Sequence, residues 1–149
     1  MSSSLRRWMR LPAVRKRLLA EALLALGLAR LVMALAPFRR IAAWLGTAGW
    51  ETPSTVSEEH LRIAHEIGWA VAVLARRVPW DGRCLAQALA ATSMLRRRGL
   101  EGTVSFGAGR SDDEQFSAHA WLRLGSYMVT GGSGHERFKV FTTFARRQS

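Results

Sequence analysis

Apolar residues recur at three- and four-residue intervals through Leu18, Leu19, Ala22, Leu23, Leu26, Ala29, Val32 and Met33, the spacing that lines one face of a helix. Pro12 suits a first helical turn and Pro37 closes the stretch, so one long helix is predicted between them. Ile41 to Leu45 reads as a short helical turn, and Gly46, Gly49 and Glu51-Thr52-Pro53-Ser54 read as a connector. A second stripe, Leu61, Ala64, Ile67, Val71, Leu74 and Val78, follows a T-x-x-E capping box formed by Thr55 and Glu58, and Pro79 ends it. A third helix is expected from about Gly82 to Arg98, capped by Asp81. Its inward residues are Leu85, Ala88, Leu89, Thr92 and Leu95, three arginines fill its last turn, and Gly99 is its stop.

After Gly99 the pattern changes. GTVSFGA, AHAWLRL, SYMVTGG and RFKVFTTF are short, rich in β-branched and aromatic residues, and separated by Gly, Ser and Asp. Helices first and strands afterwards predict an α+β fold, with a helical N-terminal half packed on a small antiparallel sheet. The chain reads as one compact domain, with a basic Leu/Ala-rich helical region over residues 1–50 and a core over residues 51–149.

Composition narrows the classes. One cysteine among 149 residues excludes an internal disulfide and a cysteine-cluster zinc site, and fits a reducing, cytoplasmic setting. No cofactor or metal is expected. Twenty-two Lys+Arg against 11 Asp+Glu give a net charge of +11, which raises nucleic acid, anionic lipid or an acidic protein as partners. Zinc-finger spacing and an RNP-type aromatic run are both missing, so nucleic acid is not expected as the main partner. Glu21 and Arg30 divide the N-terminal helix into uncharged runs of eight residues, Ala22 to Ala29 and Leu31 to Phe38, too short to span a bilayer. That helix is expected to pack on its own domain or to rest on a partner or membrane surface.

Cys84 would be the third residue of a helix capped by Asp81, where unpaired N–H groups, the helix dipole and the neighbouring Arg83 favour a thiolate and could hold an oxyanion. Taken alone, a single cysteine is more often a small buried apolar residue. A nucleophile needs a base. His60 and His65 fall in a charge-bearing helical register, and His135 sits in the turn GGSGHER. His119 differs: strand alternation puts His119, Trp121 and Arg123 on one face and Ala118, Ala120, Leu122 and Leu124 on the core face. A helix-start cysteine followed by a strand histidine is the arrangement used by papain-like and transglutaminase-like enzymes.

The basic N-terminal helix, RRVPWDGRCLAQALAATSMLRRRGLEGTVSFGAG and SAHAWLRLGSYMVTGGSGHERFKVFTTF together resemble the transglutaminase-like leader peptidases of lasso-peptide biosynthesis, the cysteine-protease half of the maturation B proteins. The resemblance implies a transglutaminase/papain-like fold and removal of a leader from a ribosomal precursor peptide, so that a partner cyclase can close the macrolactam. It also implies a separate leader-recognition protein. Carried over by position, Cys84 is the nucleophile and His119 the base; Arg83, next to the thiol, and Trp121, on the face of His119, are read from the residues themselves as candidate substrate contacts. Family members typically orient the imidazole with an Asp on the following strand. Here that strand carries no carboxylate, and Thr130 is the nearest polar replacement. Glu136, Asp112 or Asp113 reaching in from a loop, or a Cys-His dyad, are the alternatives. An amine acceptor in place of water would make the same site an acyl transferase, and a basic, non-catalytic binding module is the reading without chemistry. Arg96 to Arg98 could dock an acidic partner or complement the end of their own helix.

Overall fold

The computed structural model describes residues 3–77, 84–110, 116–132, 136 and 138–147. Five helices, α1 (Ser3–Met9), α2 (Ala13–Leu35), α3 (Phe38–Leu45), α4 (Glu58–Ala75) and α5 (Cys84–Arg96), are joined by five strands. The strands are β1 (Thr47–Ala48), β2 (Thr103–Arg110), β3 (Phe116–Leu124), β4 (Tyr127–Thr130) and β5 (Phe138–Ala145). They form one antiparallel sheet in the order β1-β5-β2-β3-β4. This is the α+β arrangement that the change of period predicts.

Helix α5 forms the middle of the molecule, packing on β3 and β4 on one side and on α2 and α4 on another. Its buried residues, Ala86, Ala88, Leu89, Ala90, Ala91, Thr92, Met94 and Leu95, go almost all the way round. The four alanines let neighbours approach closely on every side, which a one-sided stripe does not anticipate. In α2 the buried face is Leu18, Leu19, Ala22, Leu26 and Ala29, whereas Leu23 and Val32, expected inside, are exposed.

Several local expectations shift. The α4 cap is Ser57, whose hydroxyl accepts the His60 N–H at 3.2 Å, and not the Thr55/Glu58 box. A hydroxyl two positions later therefore satisfies the first turn, where Glu58 and Glu59 also face the positive end of the helix dipole. The short turn at Ile41 is a full helix from Phe38, and the connector after Gly46 contains β1, paired with the end of β5. Gly99 does close α5: at φ +73° it lets Leu100 N–H reach Leu95 O at 3.0 Å while its own N–H reaches Arg96 O at 3.0 Å. Val78, Pro79, Asp81, Gly82, Arg83, Asp112, Asp113 and His135, which carried other expectations, lie outside the described residues.

The arginine triplet is structural. Arg96 donates to Trp44 O at 2.6 Å, Leu45 O at 2.7 Å and Glu101 at 3.2 Å, and its guanidinium lies 4.4 Å from the Trp44 ring centre. Arg98 makes a two-pronged pair with Glu21 of α2 at 2.7 and 2.9 Å, and Arg97 adds a 3.4 Å contact to the same carboxylate. The triplet joins the end of α5 to α2 and α3, which leaves Arg97 alone extended into solvent.

Candidate active site

Cys84 is the first residue of α5 and is partly exposed. The N–H groups in the first turn of a helix are the ones a developing oxyanion can use, and Cys84 stands as the first described residue of α5. Its side chain also reaches the sheet. The β3–β4 ladder starts at Leu122↔Thr130, so Ala120 lies beyond the end of β4, and the Ala120 N–H donates to Cys84 Sγ at 3.4 Å. Early termination of β4 thus supplies the place where the thiol docks.

His119 is the residue before Ala120, so the histidine and the sulfur flank one peptide group. Its Nε2 lies 3.0 Å from Gly131 O. A carbonyl oxygen only accepts, so Nε2 carries the hydrogen and Nδ1 is the unprotonated nitrogen of the neutral ring. The ring is stacked on Phe138 with centres 5.0 Å apart and leans on Trp121 at 5.7 Å. Tautomer and ring plane are therefore both fixed, which a general base requires before substrate arrives. In this resting geometry the sulfur is held by the peptide N–H that follows His119 rather than by the ring itself.

The hydrogen-bond partner of His119 is a different group from the Thr130 hydroxyl that the sequence suggests. Thr130 is buried, and its Oγ1 has no hydrogen-bond partner among the described residues. The next residue along holds the imidazole with its backbone. Gly131 has φ +68°, and a Cβ there would stand 2.7 Å from Ala120 O, 2.9 Å from Trp121 Cβ and 3.2 Å from His119 Nε2. No side chain, a carboxylate included, fits that place without displacing β3 at Ala120 and Trp121 and crowding the imidazole. The carbonyl supplies direction and a partial negative charge where a carboxylate would supply a full one.

Trp121 also differs from expectation. It is only 3 % exposed, packed close to Gly107 and beside the imidazole, so it supports His119 from within the fold and is not an open aromatic wall. The alternation of β3 holds for Ala120, Leu122 and Leu124, which are buried, but Ala118, expected on the core face, is exposed, and the second face is covered farther along. There Arg123 donates to Thr52 O and Gly125 O, each at 2.9 Å, and Thr52 bonds Thr103 through backbone N–H and hydroxyl. His60 lies on α4, where its N–H meets the Ser57 cap, and His65 rests beside Tyr127, so neither histidine belongs to the site. Among the described residues no cluster of His, Cys, Asp and Glu is arranged to hold a metal ion.

Sequence reasoning missed Ala120 and Gly131, both of which act through the backbone. The one available signal was the pair Gly131-Gly132 standing where a carboxylate was sought. Compared with known families, the chain matches the model of the Transglutaminase-like superfamily over residues 22–143. No curated protein and no solved structure matches it.

Proposed function

The chain belongs to the transglutaminase-like superfamily, and we propose that it is a cysteine peptidase that removes the leader from a lasso-peptide precursor. The observation that carries the reading is the convergence at one peptide group of a helix-start thiol and a histidine whose tautomer a carbonyl fixes. The family match supports a cysteine-dependent enzyme. The leader-peptidase assignment rests on the resemblance of the Cys84 and His119 segments, with the precursor peptide, a separate leader-recognition protein and a macrolactam-forming cyclase as partners.

In the proposed cycle, Cys84 Sγ exchanges the Ala120 N–H for His119 Nδ1, which takes the thiol proton. The thiolate attacks the scissile carbonyl carbon, and the N–H groups at the start of α5 receive the oxyanion. Collapse breaks the C–N bond, and the imidazolium returns its proton to the leaving amine, which becomes the new N-terminus of the core peptide. Nδ1 then deprotonates water, whose attack splits the thioester into a leader carboxylate and the regenerated thiol. Gly131 O holds Nε2–H throughout, and so keeps Nδ1 as the nitrogen that exchanges protons.

The test is incubation of the full chain with precursor and recognition protein, read by mass spectrometry. Two fragments whose summed mass exceeds the precursor by one water are expected, and Cys84→Ala abolishes them while leaving the protein folded. Undiminished cleavage by Cys84→Ala overturns the assignment. An amide conjugate in place of a free carboxylate would show that the thioester is resolved by an amine.

A further inference from the structure

The outer side of α2 has no role in the site. Leu24, Leu28, Leu31 and Leu35 are 75, 60, 54 and 76 % exposed. At 3.6 residues per turn they fall within a sector of about 60°. Phe38, also exposed, continues the stripe into α3. Beside it an apolar groove of about 280 Å³ runs between α2, α3 and α5, lined by Val32, Ala36, Ile41, Trp44 and Leu89 with Arg40 as its single charge. A contiguous exposed aliphatic face of this kind marks an interaction surface.

The charge around it selects the partner. Residues 1–50 contain nine Arg and Lys and one acid, Glu21, which Arg98 and Arg97 already neutralise. Arg17 and Arg30 of α2 and Arg39 and Arg40 of α3 are exposed. A second copy of the chain would bring the same cations against one another, whereas an anionic bilayer offers acyl chains for the leucines and phosphates for the arginines. Helix α2 is long and apolar enough to cross a membrane by length and composition. Its inner face, Leu18, Leu19, Ala22, Leu26 and Ala29, is committed to the core, so the folded chain can use only the outer face. We propose that α2 and α3 form a docking face for an anionic lipid bilayer, with α2 lying along the headgroup boundary while Cys84, on the sheet side of α5, is turned away from the lipid.

The inference is independent of the peptidase reading. Full-length protein is sedimented with vesicles of phosphatidylcholine alone, or of phosphatidylcholine and phosphatidylglycerol in equal parts. Binding is expected to the mixed vesicles only, and to weaken as the Debye length falls from about 10 Å at 0.1 M salt to about 3 Å at 1 M. Leu24→Glu/Leu35→Glu, with a circular dichroism spectrum matching wild type, should lose binding. Arg39→Gln/Arg40→Gln should weaken it by about fivefold for each charge removed, and Cys84→Ala should bind normally. Equal binding of both vesicle types, or binding unchanged in the leucine variant, overturns the proposal. So does failure to bind vesicles together with a dimer, seen by light scattering, that the leucine variant splits; that result would assign the face to a second copy.

Discussion

The two ends of α5 use their polar groups in opposite ways. At the C-terminal end Arg96 occupies the last carbonyls of α3, Arg98 clasps Glu21, and Gly99 turns the chain so that Leu95 O and Arg96 O are both satisfied. At the N-terminal end Cys84 Sγ accepts, among the described residues, a long 3.4 Å bond from a backbone N–H and is partly open to solvent. One end is built to stay as it is; the other keeps its binding capacity for something that arrives. Among the described residues, a single helix thereby fixes its C-terminal end with side-chain donors and leaves the thiol proposed as the nucleophile partly open at its other end.

The contrast can be broken at the tied end first. Arg96→Ala strands two carbonyls of α3 and leaves Glu101 only its 4.0 Å contact with Arg146, and should cost about 3 kcal/mol of stability. Urea denaturation measures the loss, while peptide cleavage at low temperature should stay near the wild-type rate. That separation fails if kcat falls in step with stability. Burial pushes the Arg96 guanidinium below its usual value against the pull of Glu101, so the charge itself gains little from this site. What the side chain supplies is donors for the carbonyls.

At the open end, Gly131→Ala forces a methyl toward His119 Nε2 and strains a backbone at φ +68°. The expected result is a fall in kcat of about a hundredfold, the scale of misplacing a general base, with a stability cost of only about 1–2 kcal/mol. Steady-state kinetics with matched thermal melts distinguishes this from simple unfolding, and an unchanged kcat would remove the carbonyl from the site.

The smallest effect concerns the clip between α2 and α5. The Arg98 hydrogen bonds hold the Glu21 carboxyl below its ordinary value of 4.5, outweighing burial, with the charges of Arg98 and Arg97 adding to the shift. Because the folded-state value is the lower one, the stabilisation is complete above the unfolded value and is lost as pH falls through the folded value. Glu21→Gln should therefore be about 1 kcal/mol less stable than wild type at neutral pH. The difference should close in thermal melts as pH drops below 4.5. A gap that is constant with pH would mean the pair contributes through packing alone.

Much of this was legible in the residues themselves. The stripe of α4, the stop at Gly99, the four longer strands and the Cys84 and His119 pair follow from periodicity and chemical type. Thr47–Ala48 were not legible as β1, because two residues form a strand only when β5 is already there to pair with them. Alternation puts Trp121 on an open face, but it does not register that the ring packs over Gly107 and beside the His119 imidazole. Residue type points to Thr130 and not to Gly131, because the backbone oxygen that meets His119 is common to every residue and leaves no mark in the sequence.

Holding the imidazole by Gly131 O has a consequence for how this protein can change. A carboxylate in that role is one codon from deletion, and alanine scanning would find it at once. A peptide carbonyl is present whatever residue is encoded, so scanning can only crowd the histidine and never remove its acceptor. The residue a mutational survey would report at this position is a glycine sensitive to replacement, and under the proposed mechanism the site would be counted as a dyad while using three groups.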